Sequence, residues 1–359
     1  MNVGIILGTR PEIIKLSPVI REIQKKRNFE YFILHTGQHY SFSLDGVFFE
    51  QLSLPRPKYN LGVGSGTHAE TTGKMLIGIE KILLQERPDI VLVEGDTNSV
   101  LAGALAACKI MIKVGHIEAG LRSYDREMPE EINRILTDHI SDYLFAPTLE
   151  TRQILINEGI DANKITVTGN TIVDAIAENI QLAERAELPP GVVAKSIYFL
   201  ATIHRQENVD NHEKLKKIML GLDLVAKELE AEIILPIHPR TRKRLETFGI
   251  SLPSSIKLID PLDYLTFLKL MKGARMILTD SGGVQEEACI LKIPCVTLRY
   301  NTDRPETISV GANVLAGVEP LEILEKARQM IKRKKDWTNP LGDGTASERI
   351  VAIVAAISK

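Results

Sequence analysis

Cysteine is the first thing this 359-residue chain lacks: it has three, Cys108, Cys289 and Cys295, and no CxxC pair. An odd, scattered set in a chain long enough to bury its own core excludes a disulfide framework and reads as reduced core thiols of an intracellular protein. The eight histidines form no HExxH or HxH, so no structural zinc spacing and no metal site is expected. An excess of one charge is lacking too. Lys+Arg is 44 against Asp+Glu 46, a net charge of -2, which gives no ground for a nucleic-acid or polyanion partner. No uncharged apolar run reaches the roughly 18 residues that a membrane helix needs, so no membrane partner is expected. The longest candidate, Val100 to Cys108, is alanine-rich and predicts a buried helix. The opening Met1–Gly8 is too short for a signal-peptide core and has no basic residue before it, so a cytoplasmic location is expected. Several nucleotide signatures are also missing. There is no GxxxxGK[ST], Gly62-Val63-Gly64-Ser65-Gly66 misses GxGxxG, and no two aspartates are spaced DxD. These gaps argue against a P-loop enzyme, a nicotinamide cofactor and a metal-dependent sugar transferase of the DxD type.

What is present is an ordinary globular composition, 44% hydrophobic and 25% charged, in a length that suggests two domains. Short apolar runs alternate with longer stretches of helical spacing such as Glu12–Lys26 and Lys214–Glu230. One series of expected strands runs Val3–Leu7, Tyr31–His35, Ile90–Val93, Ile112–Ile117, Tyr143–Ala146 and Ile165–Thr168. A second runs Ile197–Ala201, Glu232–Pro236, Ile256–Ile259, Met276–Thr279, Cys295–Leu298 and Val314–Ala316. Their near-continuous apolar character is that of strands buried on both faces of a parallel sheet. Two such series predict an α/β protein of two Rossmann-like, doubly wound domains. The pattern breaks at Glu187-Leu188-Pro189-Pro190-Gly191 and at Asn339–Gly344, before a last apolar helix over Ser347–Ser358. The basic run Lys332–Lys335 reads as a solvated helix end.

In open parallel sheets ligands gather at the carboxyl ends of the strands. After the first strand stand Gly8, expected to permit a tight turn, and Arg10, Pro11 and Lys15, where the two cations can reach an anion at the helix start. Asp96, in Glu94-Gly95-Asp96-Thr97, reads either as a helix cap or as a site residue. His116-Ile117-Glu118 ends the fourth strand with ionisable groups that are costly to bury unless paired or used. Glu130 and Arg134, four apart, share a helical face. In the second half His204-Arg205 and, more weakly, His238 follow strands. Thr279-Asp280-Ser281-Gly282-Gly283 runs from a strand into a helix, where glycines and a helix N-terminus suit a phosphate. Glu287 lies about a turn and a half further on, where its carboxylate can accept ribose hydroxyls. Arg299 and Arg304 follow the next strand.

Taken together these segments resemble the non-hydrolysing UDP-N-acetylglucosamine 2-epimerases over nearly the whole chain. The matching stretches are GTRPE with Lys15, TGQH at Thr36–His39, EGDT at Glu94–Thr97, HIEAGLRS at His116–Ser123, PEEINR at Pro129–Arg134 and TGNTIVDA at Thr168–Ala175. HRQEN at His204–Asn208, TDSGGVQEE at Thr279–Glu287 and RPE at Arg304–Glu306 complete the series. The resemblance implies a glycosyltransferase-B architecture of two Rossmann-like domains facing across a cleft. The first domain would span 1–169 and the second 170–344, with residues 345–359 a terminal helix crossing back. It implies a homodimer, a UDP-sugar substrate and no cofactor. Asp96, Glu118 and Glu130 would carry the acid–base work and His204 would assist the departing diphosphate. Arg10, Lys15, Gln38, His39, Arg134 and His238 would line the substrate. Ser281, Gly282 and Gly283 would hold phosphate, Glu287 the ribose, and Arg10 and Arg304 the diphosphate charge. Phe267 and the backbone at Leu262 would flank the uracil. The implied reaction is reversible epimerisation at carbon 2, through loss of UDP to 2-acetamidoglucal and its re-addition. Two positions depart from the bacterial pattern: Ser41 after the TGQH stretch, and Glu70 where a basic residue is expected near Thr71-Thr72.

Overall fold

The structure is a computed structural model and describes residues 1–37, 48–190, 192 and 197–357. The chain divides into two compact units: Met1–Glu178 with Leu341–Lys359, and Asn179–Pro340. In the sequence the first break lies inside the helix Thr171–Arg185, and the second follows Pro340.

The first unit is built on seven strands: β1 (Asn2–Leu7), β2 (Glu30–His35), β3 (Tyr59–Asn60), β4 (Ile90–Glu94), β5 (Lys113–Ile117), β6 (Tyr143–Ala146) and β7 (Ile165–Val167). All pair in parallel, in the order β3-β2-β1-β4-β5-β6-β7. In register, Ile5 sits between Ile33 and Leu92. Every residue of β4 is buried, as expected for a central strand covered by helices on both faces. The helix His68–Glu86 turns Met75, Ile79 and Leu83, spaced four apart, into the cluster that also holds Ile6, Leu34, Val91 and Val93. The alanine-rich stretch is indeed a helix, Asn98–Lys109. Its Gly103 lets it settle against Ile6 and Val93, where an added Cβ would come within 3.2 Å of both. Each fully buried leucine or isoleucine in such a layer contributes about 2 kcal/mol through desolvation. The two-residue β3 is absent from the sequence expectation, because a strand of that length shows no periodicity.

The second unit repeats the plan with β8 (Tyr198–Thr202), β9 (Glu232–Pro236), β10 (Ile256–Ile259), β11 (Met276–Thr279), β12 (Cys295–Thr297) and β13 (Asn313–Leu315). The order is β10-β9-β8-β11-β12-β13, again parallel throughout. The three cysteines are free, and burial pushes the Cys289 thiol up to about 12. The basic run Lys332–Lys335 follows the helix Pro320–Met330 and is exposed. Its Arg333 donates to the carbonyls of Val310 and Gly311, at 3.2 and 3.1 Å. Among the described residues no helix is long and apolar enough to cross a membrane.

Strand order reverses direction between β1 and β4 in one unit and between β8 and β11 in the other. The carboxyl ends of those strand pairs are where this fold leaves a crevice for a ligand.

Candidate active site

At the first crevice the chain leaves β1 through Gly8 and enters the helix Arg10–Gln24. Gly8 has no positive φ, and space is what requires glycine there. An added Cβ would stand 2.1 Å from the Thr36 hydroxyl and 2.2 Å from that of Ser99. The helix opens with a capping box in which Glu12 accepts from the backbone N–H groups of Gly8 and Thr9. The other Glu12 oxygen accepts from the Thr97 hydroxyl, so one carboxyl ties the loop after β1 to the loop after β4. Burial pushes the Glu12 carboxyl up to about 7, against the hydrogen bonds from Thr97, Gly8 and Thr9.

One turn further on, Lys15 is buried. Its ammonium lies against Glu118 and 3.4 Å from Glu94, so this lysine meets carboxylates rather than standing open at the helix start. Burial also holds Glu94 well above the carboxylate range; Lys15 opposes the shift, and Glu118, Glu12 and Asp96 add to it. Glu118 accepts from the Asn170 side chain at 3.0 Å and adopts a φ of 70°. A left-handed glutamate costs on the order of 1 kcal/mol and persists where its surroundings fix it, as at many functional sites. Asp96 pairs with Arg134, and Asn133 donates to the Asp96 carbonyl at 2.9 Å. Arg134 also reaches Glu131 at 3.2 Å. Glu131 in turn accepts from Ser123 and Tyr124, so the second glutamate of the PEEINR stretch braces a loop. Glu130 is half-buried and makes no ion pair among the described residues, so the four-residue spacing to Arg134 is not used. Carboxylates outnumber cations here, and some of them therefore keep a proton near neutral pH.

Arg10 lies over the Phe48 ring, 4.9 Å from its centroid. Gln38, His39 and Ser41 lie outside the described residues. Glu70 serves the N-terminal capping box of its own helix, accepting from the Thr67 N–H at 3.0 Å, and those Thr67 bonds hold its carboxyl below the usual range.

At the second crevice, between β8 and β11, Asp280 is wholly buried and organises the loop after β8. It accepts from the backbone N–H groups of His204 and Arg205, both at 3.0 Å, and from the Asn208 side chain at 3.2 Å. His204 therefore projects from a fixed backbone with its ring partly open. Desolvation pushes its imidazole below the ordinary value; Asp280 opposes that and Arg205 adds to it. The His238 ring lies 6.3 Å from that of His204, and His238 caps the helix Pro239–Thr247 by accepting from the Arg240 N–H at 3.2 Å.

Ser281 is the N-cap of the helix Gly282–Ile290 but makes no side-chain capping bond, so the donors of the first turn are left to another acceptor. Space above Gly283 is open, whereas a Cβ on Gly282 would come 3.2 Å from an Asp303 oxygen. Glu287 is buried beside Tyr264, whose phenol is pushed well up by burial and by that carboxylate. Leu262 and Phe267 lie half-buried against the apolar cluster of this sheet, together with Val284. Arg304 is buried, 2.7 Å from Glu286 and 3.0 Å from Asp303, so two carboxylates balance its charge. Arg299 is buried with Asp303 at 3.5 Å, and desolvation pushes its guanidinium below the ordinary value. Among the described residues no group of three or more His, Cys, Asp or Glu side chains is placed to hold a metal ion.

The structure thus gathers Lys15, Asp96, Glu118 and Arg134 at one crevice, and His204, His238, Ser281, Gly282 and Gly283 around the other. Sequence reasoning missed Glu12 and Asn170 as site components, and it left Glu94 without a role. The available signals were a glutamate three residues after a threonine cap, a polar TGNT turn and an ionisable end to an apolar strand.

A family model described as UDP-N-acetylglucosamine 2-epimerase matches residues 21–355 of this chain. The UDP-N-acetylglucosamine 2-epimerase of Methanocaldococcus jannaschii is 58% identical, covering 99% of both chains. The UDP-2,3-diacetamido-2,3-dideoxy-D-glucuronate 2-epimerase of Pseudomonas aeruginosa is 43% identical over 99% of this chain and 100% of that protein. The crystal structure of the Methanocaldococcus jannaschii UDP-GlcNAc 2-epimerase in complex with UDP-GlcNAc and UDP superposes with a TM-score of 0.93 at 55% identity. It covers 99% of this chain and 100% of that one.

Proposed function

The chain belongs to the UDP-N-acetylglucosamine 2-epimerase family, and we propose that it interconverts UDP-GlcNAc and UDP-ManNAc without hydrolysis and without a cofactor. The observation that carries the chemistry is the carboxylate-rich crevice at the ends of β1, β4 and β5.

The hydrogen on carbon 2 of the sugar has no carbonyl beside it and is not acidic in the substrate. When the bond from carbon 1 to the diphosphate breaks, carbon 1 takes on oxocarbenium character, and the neighbouring hydrogen becomes acidic. A carboxylate then removes it, giving 2-acetamidoglucal and UDP. UDP adds back to carbon 1 while a proton is delivered to carbon 2 on the opposite face. Inversion needs an acid or base on each face, which Asp96, Glu118 and Glu130 supply. Burial pushes the Glu12 carboxyl up to about 7 and Glu94 well above the carboxylate range, which supports a site whose environment raises carboxyl pKa values. Lys15 and Asn170 hold Glu118 in place, and Arg134 holds Asp96.

In the second unit Ser281, Gly282 and Gly283 bind phosphate at the uncapped helix start, and Glu287 takes the ribose. Leu262 and Phe267 flank the uracil. His204, on a backbone fixed by Asp280, stabilises the departing diphosphate, with His238 beside it. Arg10 and Arg304 supply positive charge, the latter fixed in place by Glu286 and Asp303. Gln38 and His39 complete the sugar pocket. A homodimer in the cytoplasm belongs to the same proposal and rests on the family alone.

The test is proton NMR of UDP-GlcNAc with the protein in D2O. UDP-ManNAc carrying deuterium at carbon 2, with exchange into UDP-GlcNAc as well, is the expected result. Free ManNAc plus UDP would assign a hydrolysing epimerase. Turnover only of the diacetamido glucuronate nucleotide would move the substrate to that of the Pseudomonas relative. Binding without turnover would make the protein a nucleotide-sugar sensor.

A further inference from the structure

His116 ends β5 and is wholly buried, yet none of the roles above uses it. Its ring is held at both nitrogens. Nδ1 stands 2.7 Å from a carboxylate oxygen of Asp138, and Nε2 stands 2.9 Å from the carbonyl oxygen of Gly95. A carbonyl only accepts, so Nε2 carries a hydrogen. Asp138 also behaves as an acceptor: its second oxygen takes the Arg122 guanidinium at 2.7 Å and the Gly120 N–H at 3.2 Å. Arg122 in turn is held by both oxygens of Glu158, at 2.8 and 2.6 Å. The groups therefore form a row, His116, Asp138, Arg122 and Glu158, of which the first three are buried and Glu158 is half-buried. Burial drives the Asp138 carboxyl upward, but His116 and Arg122 outweigh it and leave the group below its ordinary range.

The other end of this row is the active loop. Gly95 has a φ of 87° and no side chain of its own to anchor it. Its carbonyl belongs to the same planar peptide as the Asp96 nitrogen, so fixing that oxygen fixes the direction in which Asp96 leaves the strand. The remaining ties on Asp96 come from Asn133 and Arg134, on the helix Pro129–Ile140 that also carries Asp138. The charged groups around the ring are thus Asp138 with Arg122 and Glu158 behind it, and Glu94 and Asp96 on either side of Gly95.

We propose that His116 is a positioning residue: a ring clamped between Asp138 and the Gly95 carbonyl that holds the Asp96 carboxylate in its working direction. This rests on the reading of Asp96 as an acid–base group. The Gly95 contact orients Asp96, and the Asp138 contact keeps the ring correctly turned.

Two measurements test it on the full-length protein. Long-range nitrogen–proton NMR of histidine-labelled protein, with His116 assigned through its own backbone resonances, reads which ring nitrogen carries hydrogen and needs no turnover. A hydrogen on Nε2 is expected, as the Gly95 carbonyl accepts and cannot donate; a bare Nε2 overturns the proposal. The second measurement is the kinetics of H116Q and D138N. A misdirected Asp96 should lower kcat by between about tenfold and a hundredfold with KM nearly unchanged, and shift the limb of the pH–rate profile that Asp96 governs. A folded H116Q with wild-type kcat and pH profile overturns it. Should H116Q not fold, D138N in place of it and the wild-type NMR still decide. Should the protein turn over no UDP-sugar, the function proposed above fails while the NMR result stands by itself.

Discussion

Glu12 shows how a single buried carboxyl ties the site to pH. Its carboxyl holds Gly8, Thr9 and Thr97 together, and burial pushes it up to about 7 from 4.5. Between those values the folded chain keeps a proton that the unfolded chain has released. The stabilisation from this group is therefore complete below about pH 4.5 and is lost as pH rises through 7. The loss amounts to on the order of 3 kcal/mol. Glutamine has the same shape, can still accept from Gly8 and Thr9, and does not ionise. Glu12→Gln should therefore gain stability relative to the parent between pH 5 and pH 8, by that order. Urea midpoints at the two pH values check it, and an equal difference at both would show that the parent carboxyl ionises as in water. Residue identity at this site was readable in part. Ionisable ends of apolar strands marked Glu118 and Asp96, because such groups are costly to bury without use. Pairing was not readable: Lys15 meets Glu118 from 103 residues away, and Arg134 takes Asp96 rather than its helical neighbour Glu130. No local spacing encodes such contacts.

Elements were far more legible, for a physical reason. Strands covered on both faces must be apolar at almost every position, so β4, β6, β9 and β11 stand out as runs, and the helices between them carry the longer period. What the pattern leaves out is why a given residue sits at an element's end. Glycine illustrates this at three places. Gly8 is forced by two hydroxyls, Gly282 is crowded by Asp303, and Gly283 faces open space. Gly8→Ala should cost about 1–3 kcal/mol through overpacking, seen as a lower melting temperature. Gly283→Ala should leave stability unchanged or raised by about 0.4–1 kcal/mol, since alanine suits a helix and meets nothing there. The same variant should weaken UDP binding by calorimetry if phosphate lies against that helix start. Unchanged affinity would place the phosphate elsewhere.

At the scale of the whole molecule the chain is not two beads in sequence, because its last helix returns to the first unit. That helix, Ala346–Ile357, is joined to the first unit by Asp174, a buried residue of the helix Thr171–Arg185. One Asp174 oxygen accepts from the Ser347 N–H at 2.8 Å and the Ser347 hydroxyl at 2.6 Å, and the other from the Ala346 N–H at 3.2 Å. Backbone bonding adds to it, Asn170 N–H donating to the Leu341 carbonyl at 2.8 Å. The carboxylate thus caps a helix from 172 residues upstream. Removing it strips three donors of a charged acceptor, and Asp174→Ala should destabilise the first unit by about 2 kcal/mol. The effect can be assigned to a unit because the single tryptophan, Trp337, is packed with Cys289 and Ala312 in the second. In urea, Asp174→Ala should bring forward the loss of far-ultraviolet circular dichroism that belongs to the first unit. The tryptophan fluorescence midpoint should stay where it is. If both transitions move together, the two units unfold as one cooperative body, and the returning helix stabilises the whole chain rather than the unit that binds it.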